Sequence, residues 1–168
     1  MGWLSRLLDL LALRRQRGIS LGLLPAWEIS PPRDAANFIR ALAQLLPPGS
    51  IIYLEGTGTA PDVRDFLRPR QADPAQKITR GTIWPRPECF HIAAIPENID
   101  GLASLFDRHA FPEICHHFHA YAAAGIIVEW YDCFGKDPLY VSRDVPVERI
   151  EAFCELTGST YSEVANRT

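Results

Sequence analysis

Short runs of strand-forming residues, separated by helical patterns, constrain the fold of this 168-residue chain more than any other feature. Residues 26–29, 51–55, 90–95, 126–134 and 139–142 are rich in β-branched and aromatic residues, and a glycine or proline flanks each run. Between several of these runs, apolar residues recur at the spacing of an amphipathic helix. Strands interleaved with helices predict an α+β or α/β fold. We expect a two-layer sandwich whose mixed sheet of about five strands carries helices mainly on one face.

The length and composition predict a single globular domain. Apolar residues make up 47% of the chain and charged residues 22%, a balance that favours a buried core and excludes intrinsic disorder. We assign residues 19–160 to one α/β domain and expect residues 161–168 to form a loose C-terminal tail.

Residues 1–18 are predicted to form an amphipathic helix. The apolar face of this helix consists of Trp3, Leu4, Leu7, Leu8 and Leu11. Arginines follow the apolar run, whereas a secretory signal places basic residues before it, and the run is too short to span a bilayer. We therefore expect a cytoplasmic protein whose first helix packs on its own domain or on a partner. Peripheral membrane contact by this helix is the alternative.

Charge is distributed unevenly although the net charge is only −3. Residues 64–86 hold six basic and two acidic residues, whereas residues 87–168 hold five basic and thirteen acidic residues. Such an asymmetry steers charged ligands or partners toward one side of a protein. Nucleic-acid binding is not expected, because the chain is acidic overall and few aromatic residues lie among the arginines and the lysine of residues 64–86.

The run from Cys115 to His119 holds three of the five histidines. Helical periodicity places residues 113–123 on a helix. Cys115 and His119 then share one flank and are weak candidates for a pair of metal ligands, while His117 lies on the other flank. Zinc needs further ligands, the four cysteines form no CxxC pair, and no HExxH motif is present. We therefore predict neither a metal nor a cofactor, and expect buried, reduced thiols.

Alternation along the strands predicts that the two faces of the sheet differ. The face that the helices cover is apolar: Ile52, Leu54, Phe90, Ile92, Ala94, Ile126, Val128, Trp130 and Val141. The opposite face is mixed: Ile51, Tyr53, Glu55, His91, Ala93, Ile95, Ile127, Glu129, Tyr131, Tyr140 and Ser142. We expect this mixed face to be partly open or covered by a partner.

Three ionisable residues on separate strands of the mixed face form the predicted site. Carboxylates together with an imidazole serve general acid–base catalysis, so Glu55, His91 and Glu129 are the predicted catalytic residues. The predicted ligand- and anion-binding residues are Arg80, Arg86, Trp84, Tyr53 and Tyr131. The alternative is an ordinary polar sheet face that is stabilised by cross-strand pairs.

Two functions are consistent with these patterns. The first is an interaction module that holds a protein partner, or a second copy of itself, through the acidic C-terminal half or the tyrosine-rich sheet face. Proteins that neutralise bacterial toxins are one such class, by analogy of size and charge only. The second is a small hydrolase that uses the predicted catalytic residues on an anionic substrate held by Arg80 or Arg86. A deep pocket where these residues meet favours the enzyme.

Overall fold

The computed structural model describes residues 18–133 and 135–165, which form one antiparallel sheet and five α-helices. The strands are β1 (Ala26–Ile29), β2 (Ile51–Gly56), β3 (Glu88–Ala93), β4 (His117–Ala122), β5 (Gly125–Trp130), β6 (Leu139–Ser142) and β7 (Tyr161–Val164). The helices are α1 (Ala35–Ala41), α2 (Pro61–Leu67), α3 (Pro96–Phe106), α4 (Phe111–Ile114) and α5 (Val147–Thr157). The strand order is β3-β2-β4-β5-β6-β1-β7, and every neighbouring pair is antiparallel.

Local signals set the ends of several helices. The Asp34 carboxylate accepts a hydrogen bond of 2.6 Å from the Asn37 amide and caps α1. A proline stands in the first turn of α2, α3 and α4, where no intrahelical partner exists for the N–H that proline lacks. Gly158 ends α5 with φ +65°, a left-handed conformation that favours glycine.

The helices cover one face of the sheet and form the main core with it. Phe38 of α1 is fully buried. Its ring contacts those of Phe118, Trp130 and Phe153 edge-on, with centroids 5.1, 5.3 and 6.1 Å away. Such edge-to-face contacts stabilise a core beyond the area they bury. Phe38 therefore connects two central strands with the last helix.

Two irregular segments, residues 18–24 and 71–87, lie against the opposite face of the sheet, and we call them the covering layer. Ile19 donates its N–H to the Lys77 carbonyl (2.8 Å) and accepts a hydrogen bond from the Thr79 amide (3.1 Å). A second apolar cluster joins this layer to the sheet: Leu21, Tyr53, Ile78, Tyr121 and Ile126, all buried. The mixed face is thus covered by the chain itself.

The strand count and the C-terminal segment differ from the sequence prediction. The sheet has seven strands rather than about five, and it is antiparallel throughout rather than mixed. Residues 161–164 form β7 and not a loose tail, because they supply hydrogen-bond partners along the edge of β1. The α+β class agrees with the prediction, and helices pack on one face of the sheet.

The prediction of a helix over residues 113–123 is wrong. Only the short helix α4 ends in this region, and β4 follows it from His117. Phe118 and Ala120 face the helices, whereas His119 and Tyr121 face the covering layer. Because β4 is buried on both faces, its sequence lacks the alternation that identifies a strand, and pairing with β2 and β5 selects the strand.

A β-bulge changes which isoleucine of β5 faces which side. Pairing between β4 and β5 shifts its register after Ala120, so Tyr121 pairs with Ile126 while Ala120 pairs with Val128. Ile126 consequently belongs to the cluster beneath the covering layer, and Ile127 belongs to the main core. Both assignments are the reverse of the sequence prediction, because a bulge inserts one residue into the alternation.

The predicted N-terminal helix lies outside the described residues. Among the helices of residues 18–133 and 135–165, none has the length and apolar character needed to cross a membrane.

Phe38→Ala is expected to lower the free energy of unfolding by about 4 kcal/mol, because it leaves a cavity between sheet and helices that neighbours fill only in part. Chemical denaturation followed by circular dichroism measures the change. Leu156→Ala is the control: Leu156 lies on α5 but is 55% exposed, so its truncation should change stability by less than about 0.5 kcal/mol. Equal effects would contradict the assignment of Phe38 to the core.

Candidate functional site

The strand register brings the predicted catalytic residues to one face of the sheet. Tyr53 of β2 pairs with His91 of β3 on one side and with His119 of β4 on the other. His119 in turn pairs with Glu129 of β5. These four residues form a row across four strands, with side chains on the same face.

Glu55 lies two residues after Tyr53 and begins a second row on the same face. Its neighbours across the sheet are Cys89 of β3 and His117 of β4. Glu55, His91 and Glu129 therefore share one face, but they occupy two rows and the structure has no hydrogen bond between His91 and either carboxylate. Their catalytic role stays a prediction.

Glu55 is the residue that fastens the covering layer to the sheet. Its side chain is fully buried. One carboxylate oxygen accepts hydrogen bonds from the Tyr53 hydroxyl (2.7 Å) and the Gly81 amide (3.3 Å), and the other accepts one from the Thr82 amide (2.6 Å). All three partners are donors, as an ionised carboxylate requires. Burial of this carboxylate is thus balanced by donors from both layers.

His117 of β4 contacts the same part of the covering layer, at Gly81 and Thr82. The Asp132 amide donates to Nδ1 of His117 (3.0 Å), so neutral His117 carries its proton on Nε2, which lies 3.0 Å from the Thr82 hydroxyl. Burial lowers the pKa of His117, against an opposing effect of Glu55. A Cβ on Gly81 would lie 2.4 Å from the His117 ring, and only glycine permits this close approach.

His119 is buried without a hydrogen-bond partner. Its side chain is 0% exposed, and neither ring nitrogen has a partner among the described residues. The rings of Tyr53 and Tyr131 enclose it, with centroids 5.5 and 4.9 Å away. Burial, with a smaller contribution from His117, lowers the pKa of His119 to about 3. His119 is therefore a neutral imidazole at physiological pH.

Glu129 is the second buried carboxylate of this face. The Tyr131 hydroxyl donates to it over 3.0 Å, and the Tyr131 ring also lies against His117 and His119. Glu129 is thus buried, and Tyr131 connects it with His117 and His119 on the same face of the sheet. A general base must come within reach of its substrate, and burial works against that task for both carboxylates.

A cleft of about 320 Å³ opens where the covering layer passes β3. Its floor consists of Tyr53, Cys89 and His91 of the sheet, and its wall consists of residues 74–78 and Arg80. Three predicted site residues, Tyr53, His91 and Arg80, therefore line one cavity. Glu55, Glu129 and Tyr131 are not among its lining residues.

The other predicted anion-binding residues lie on the outside of the covering layer. Trp84 is 85% exposed, and Arg86 is exposed. Arg86 nevertheless lies close enough to Cys89 to affect the thiol electrostatically, as Arg80 does.

The weak metal candidates, Cys115 and His119, do not come together. Cys115 lies in the main core, where its sulfur is 3.8 Å from that of Cys133, whereas His119 lies on the opposite face of the sheet. The i,i+4 relation that paired them depends on the helix, which is absent. No group of three or more metal-ligating side chains occurs within residues 18–133 and 135–165.

Sequence reasoning missed the roles of Cys89, His117 and Thr82. Cys89 and His117 follow from the alternation of β3 and β4, once β4 is recognised as a strand. No local signal identifies Thr82, because its contacts join an irregular segment to residues 27 and 35 positions away in the chain.

Glu55→Gln is expected to lower the free energy of unfolding by about 2 kcal/mol or more. The substitution removes the negative charge, and it replaces one acceptor oxygen with an NH2 group that would face other N–H or O–H donors. Hydrogen exchange at the Gly81 and Thr82 amides should accelerate more than exchange in the main core. Glu88→Gln is the matched control, since Glu88 pairs only at the surface with Arg64 and Arg68, at 3.8 and 3.6 Å. The Glu88→Gln substitution should lower the free energy of unfolding by less than about 1 kcal/mol. Unchanged exchange at residues 81 and 82 in the Glu55 variant would contradict the fastening role.

His119→Phe is expected to reduce the acid sensitivity of the fold. A folded-state pKa below the unfolded value means that the unfolded chain binds more protons, so stability falls as pH drops below the unfolded pKa of about 6.5. Between pH 7 and pH 5 this contribution amounts to about 2 kcal/mol for His119. Chemical denaturation at pH 7 and pH 5 measures the decrease in the free energy of unfolding. This decrease should be about 2 kcal/mol smaller in the variant than in the original protein. His117 and His91 remain in both proteins, so an identical loss would contradict the buried, neutral state of His119.

Comparison with known proteins leaves the site to be interpreted from its own residues. No protein-family model, curated protein or solved structure matches this chain.

Proposed function

We propose that this protein is an interaction module that binds another protein through the turn at residues 80–86, which we call the Trp84 turn. The observation that carries the proposal is the exposure of two adjacent large apolar side chains, Trp84 at 85% and Ile83 at 69%. Tryptophan is enriched at the energetic centres of protein interfaces. An exposed pair of this kind marks a contact surface more often than an isolated apolar residue does.

The Trp84 turn is anchored although its tip is exposed. The Thr82 amide is bonded to the Glu55 carboxylate, and the Thr82 hydroxyl lies within hydrogen-bond distance of His117. Both sheet residues are buried. A binding loop that is ordered before it meets its partner loses less conformational entropy on association. The buried polar network of the sheet therefore supports a surface function of the turn.

Charge indicates the kind of partner. Arg80 and Arg86 flank the apolar pair, both are exposed, and neither forms an ion pair with the described residues. Arginine is common at interfaces and binds carboxylates in a bidentate manner. We therefore propose a partner that presents an apolar pocket surrounded by acidic side chains. A toxin is one partner of this class, on the analogy of size and charge alone.

A second exposed apolar pair lies in the same layer. Leu23 and Leu24 are 74% and 61% exposed, and they follow the segment that pairs with Ile78. Seven large apolar side chains are exposed among the described residues, and four of them belong to the covering layer. The layer thus combines exposed apolar side chains with the exposed Arg80 and Arg86.

The alternative is a hydrolase that acts through Glu55, His91 and Glu129. The cleft supports it in part, because His91 lines the cleft together with Tyr53 and Arg80. Both carboxylates are buried and hydrogen-bonded instead. Without a carboxylate or an activated nucleophile in the cleft, the interaction module is the better supported function.

Trp84→Ala is expected to weaken partner binding by about 30-fold or more, the range of an interface hot spot. The protein immobilised on beads captures partners from an extract of its own source, and mass spectrometry compares the original protein with the variant. Leu156→Ala is the matched control, because Leu156 is similarly exposed but lies on α5. Affinity of the purified pair is then measured by calorimetry at two salt concentrations, and it should fall at higher salt.

Two outcomes would contradict this proposal. One is a partner that binds the Trp84 variant and the original protein equally. The other is a partner lost only with Leu156→Ala. Sedimentation of the purified protein checks self-association: a dimer that dissociates on Trp84→Ala would identify the partner as a second copy of the chain.

A further inference from the structure

We infer that the cleft beside β3 binds a small organic anion with a carboxylate or phosphate group, and that Arg80 at the start of the Trp84 turn contributes to this site. The cleft holds about 320 Å³, at the lower end of the range for small-molecule sites. Its lining residues are Tyr53, Pro74, Ala75, Gln76, Lys77, Ile78, Arg80, Cys89 and His91. None of them is acidic, and two are basic.

The ring of His91 offers one nitrogen to the cleft. Nδ1 of His91 lies 2.9 Å from the Tyr121 hydroxyl. When that hydroxyl donates its hydrogen to Nδ1, neutral His91 carries its proton on Nε2. Nε2 has no hydrogen-bond partner among the described residues, so an anion that accepts from it selects this tautomer.

Tyr53 and Cys89 add no negative charge to the floor of the cleft. The Tyr53 hydroxyl commits its only hydrogen to Glu55 (2.7 Å), and the Cys89 sulfur lies 3.3 Å from the same hydroxyl. Burial raises the pKa of the Cys89 thiol, so the group stays protonated. A protonated thiol is a poor nucleophile. The floor of the cleft is therefore suited to binding and not to covalent chemistry.

Positive charge completes the site. Arg80 lines the cleft and forms no ion pair with the described residues, and the guanidinium group matches the geometry of a carboxylate or phosphate. The His91 Nε2–H supplies a second donor from the floor. Ile78, Ala75 and Pro74 supply apolar wall for the organic part of the ligand. This combination of donors, positive charge and apolar wall selects a small organic anion over a cation or a bare inorganic ion.

Calorimetry at constant ionic strength with three aromatic probes tests this inference. Benzoate and phenyl phosphate share a ring and differ in their anionic group, whereas benzamide is the neutral counterpart of benzoate. We expect one of the anions to bind with a Kd of about 1 mM or tighter, and benzamide to bind at least tenfold more weakly. The tighter of the two anions identifies whether the natural ligand bears a carboxylate or a phosphate.

Substitutions locate the binding. Arg80→Ala and His91→Phe are each expected to raise the Kd of the better anion about tenfold or more, while Arg33→Ala, whose side chain lies near Gly158 at the far end of α5, should leave it unchanged. Arg80 is exposed, so its variant remains informative should His91→Phe not fold. No saturable binding of either anion, equal binding of benzamide, or equal effects of Arg80→Ala and Arg33→Ala would overturn the inference.

Discussion

A buried carboxylate joins the covering layer to the sheet. Glu55 lies in the second strand, and a carboxylate removed from water is costly unless donors surround it. One donor, the Tyr53 hydroxyl, comes from the sheet, and two, the Gly81 and Thr82 amides, come from the covering layer. The position of residues 71–87 over the sheet therefore depends on hydrogen bonds to the Glu55 carboxylate as well as on apolar contacts. The exposed Trp84 turn and the wall of the cleft both depend on this attachment.

The polar residues of the sheet thus have a supporting part in the proposed functions. His117 and Glu55 bind the same turn from neighbouring strands. Because both side chains are buried, the proposed binding surface lies on the covering layer and not on the sheet. Tyr53, Cys89 and His91, near the edge of the sheet, line the cleft and remain within reach of a small molecule. His119 differs from the others because its buried nitrogens have no partner in the described residues. This arrangement lowers stability, because the nitrogens lose their hydrogen bonds to water and gain none in the fold.

Most of the sheet could be predicted because strand alternation is a local property. The runs that became β2, β3 and β5 contain aliphatic residues on at least one face, and glycine or proline marks their ends. β4 and β7 could not be recognised in this way. β4 contains histidine and alanine, which have little preference for strands, and it becomes a strand through pairing with β2, some 65 residues earlier in the chain. β7 is short and mostly exposed, and it becomes a strand because β1 leaves an open edge.

The sequence by itself indicated that Glu55, His91 and Glu129 lie on one face, because each stands next to apolar residues that belong to the core face of its strand. Only the tertiary structure decided that this face is buried, that His117 and His119 share it, and that His91 opens into a cleft with Arg80. The physical reason is distance along the chain. Residues 71–87 show no periodicity that indicates where they pack, and their position follows from the hydrogen-bond partners that Glu55 and His117 require.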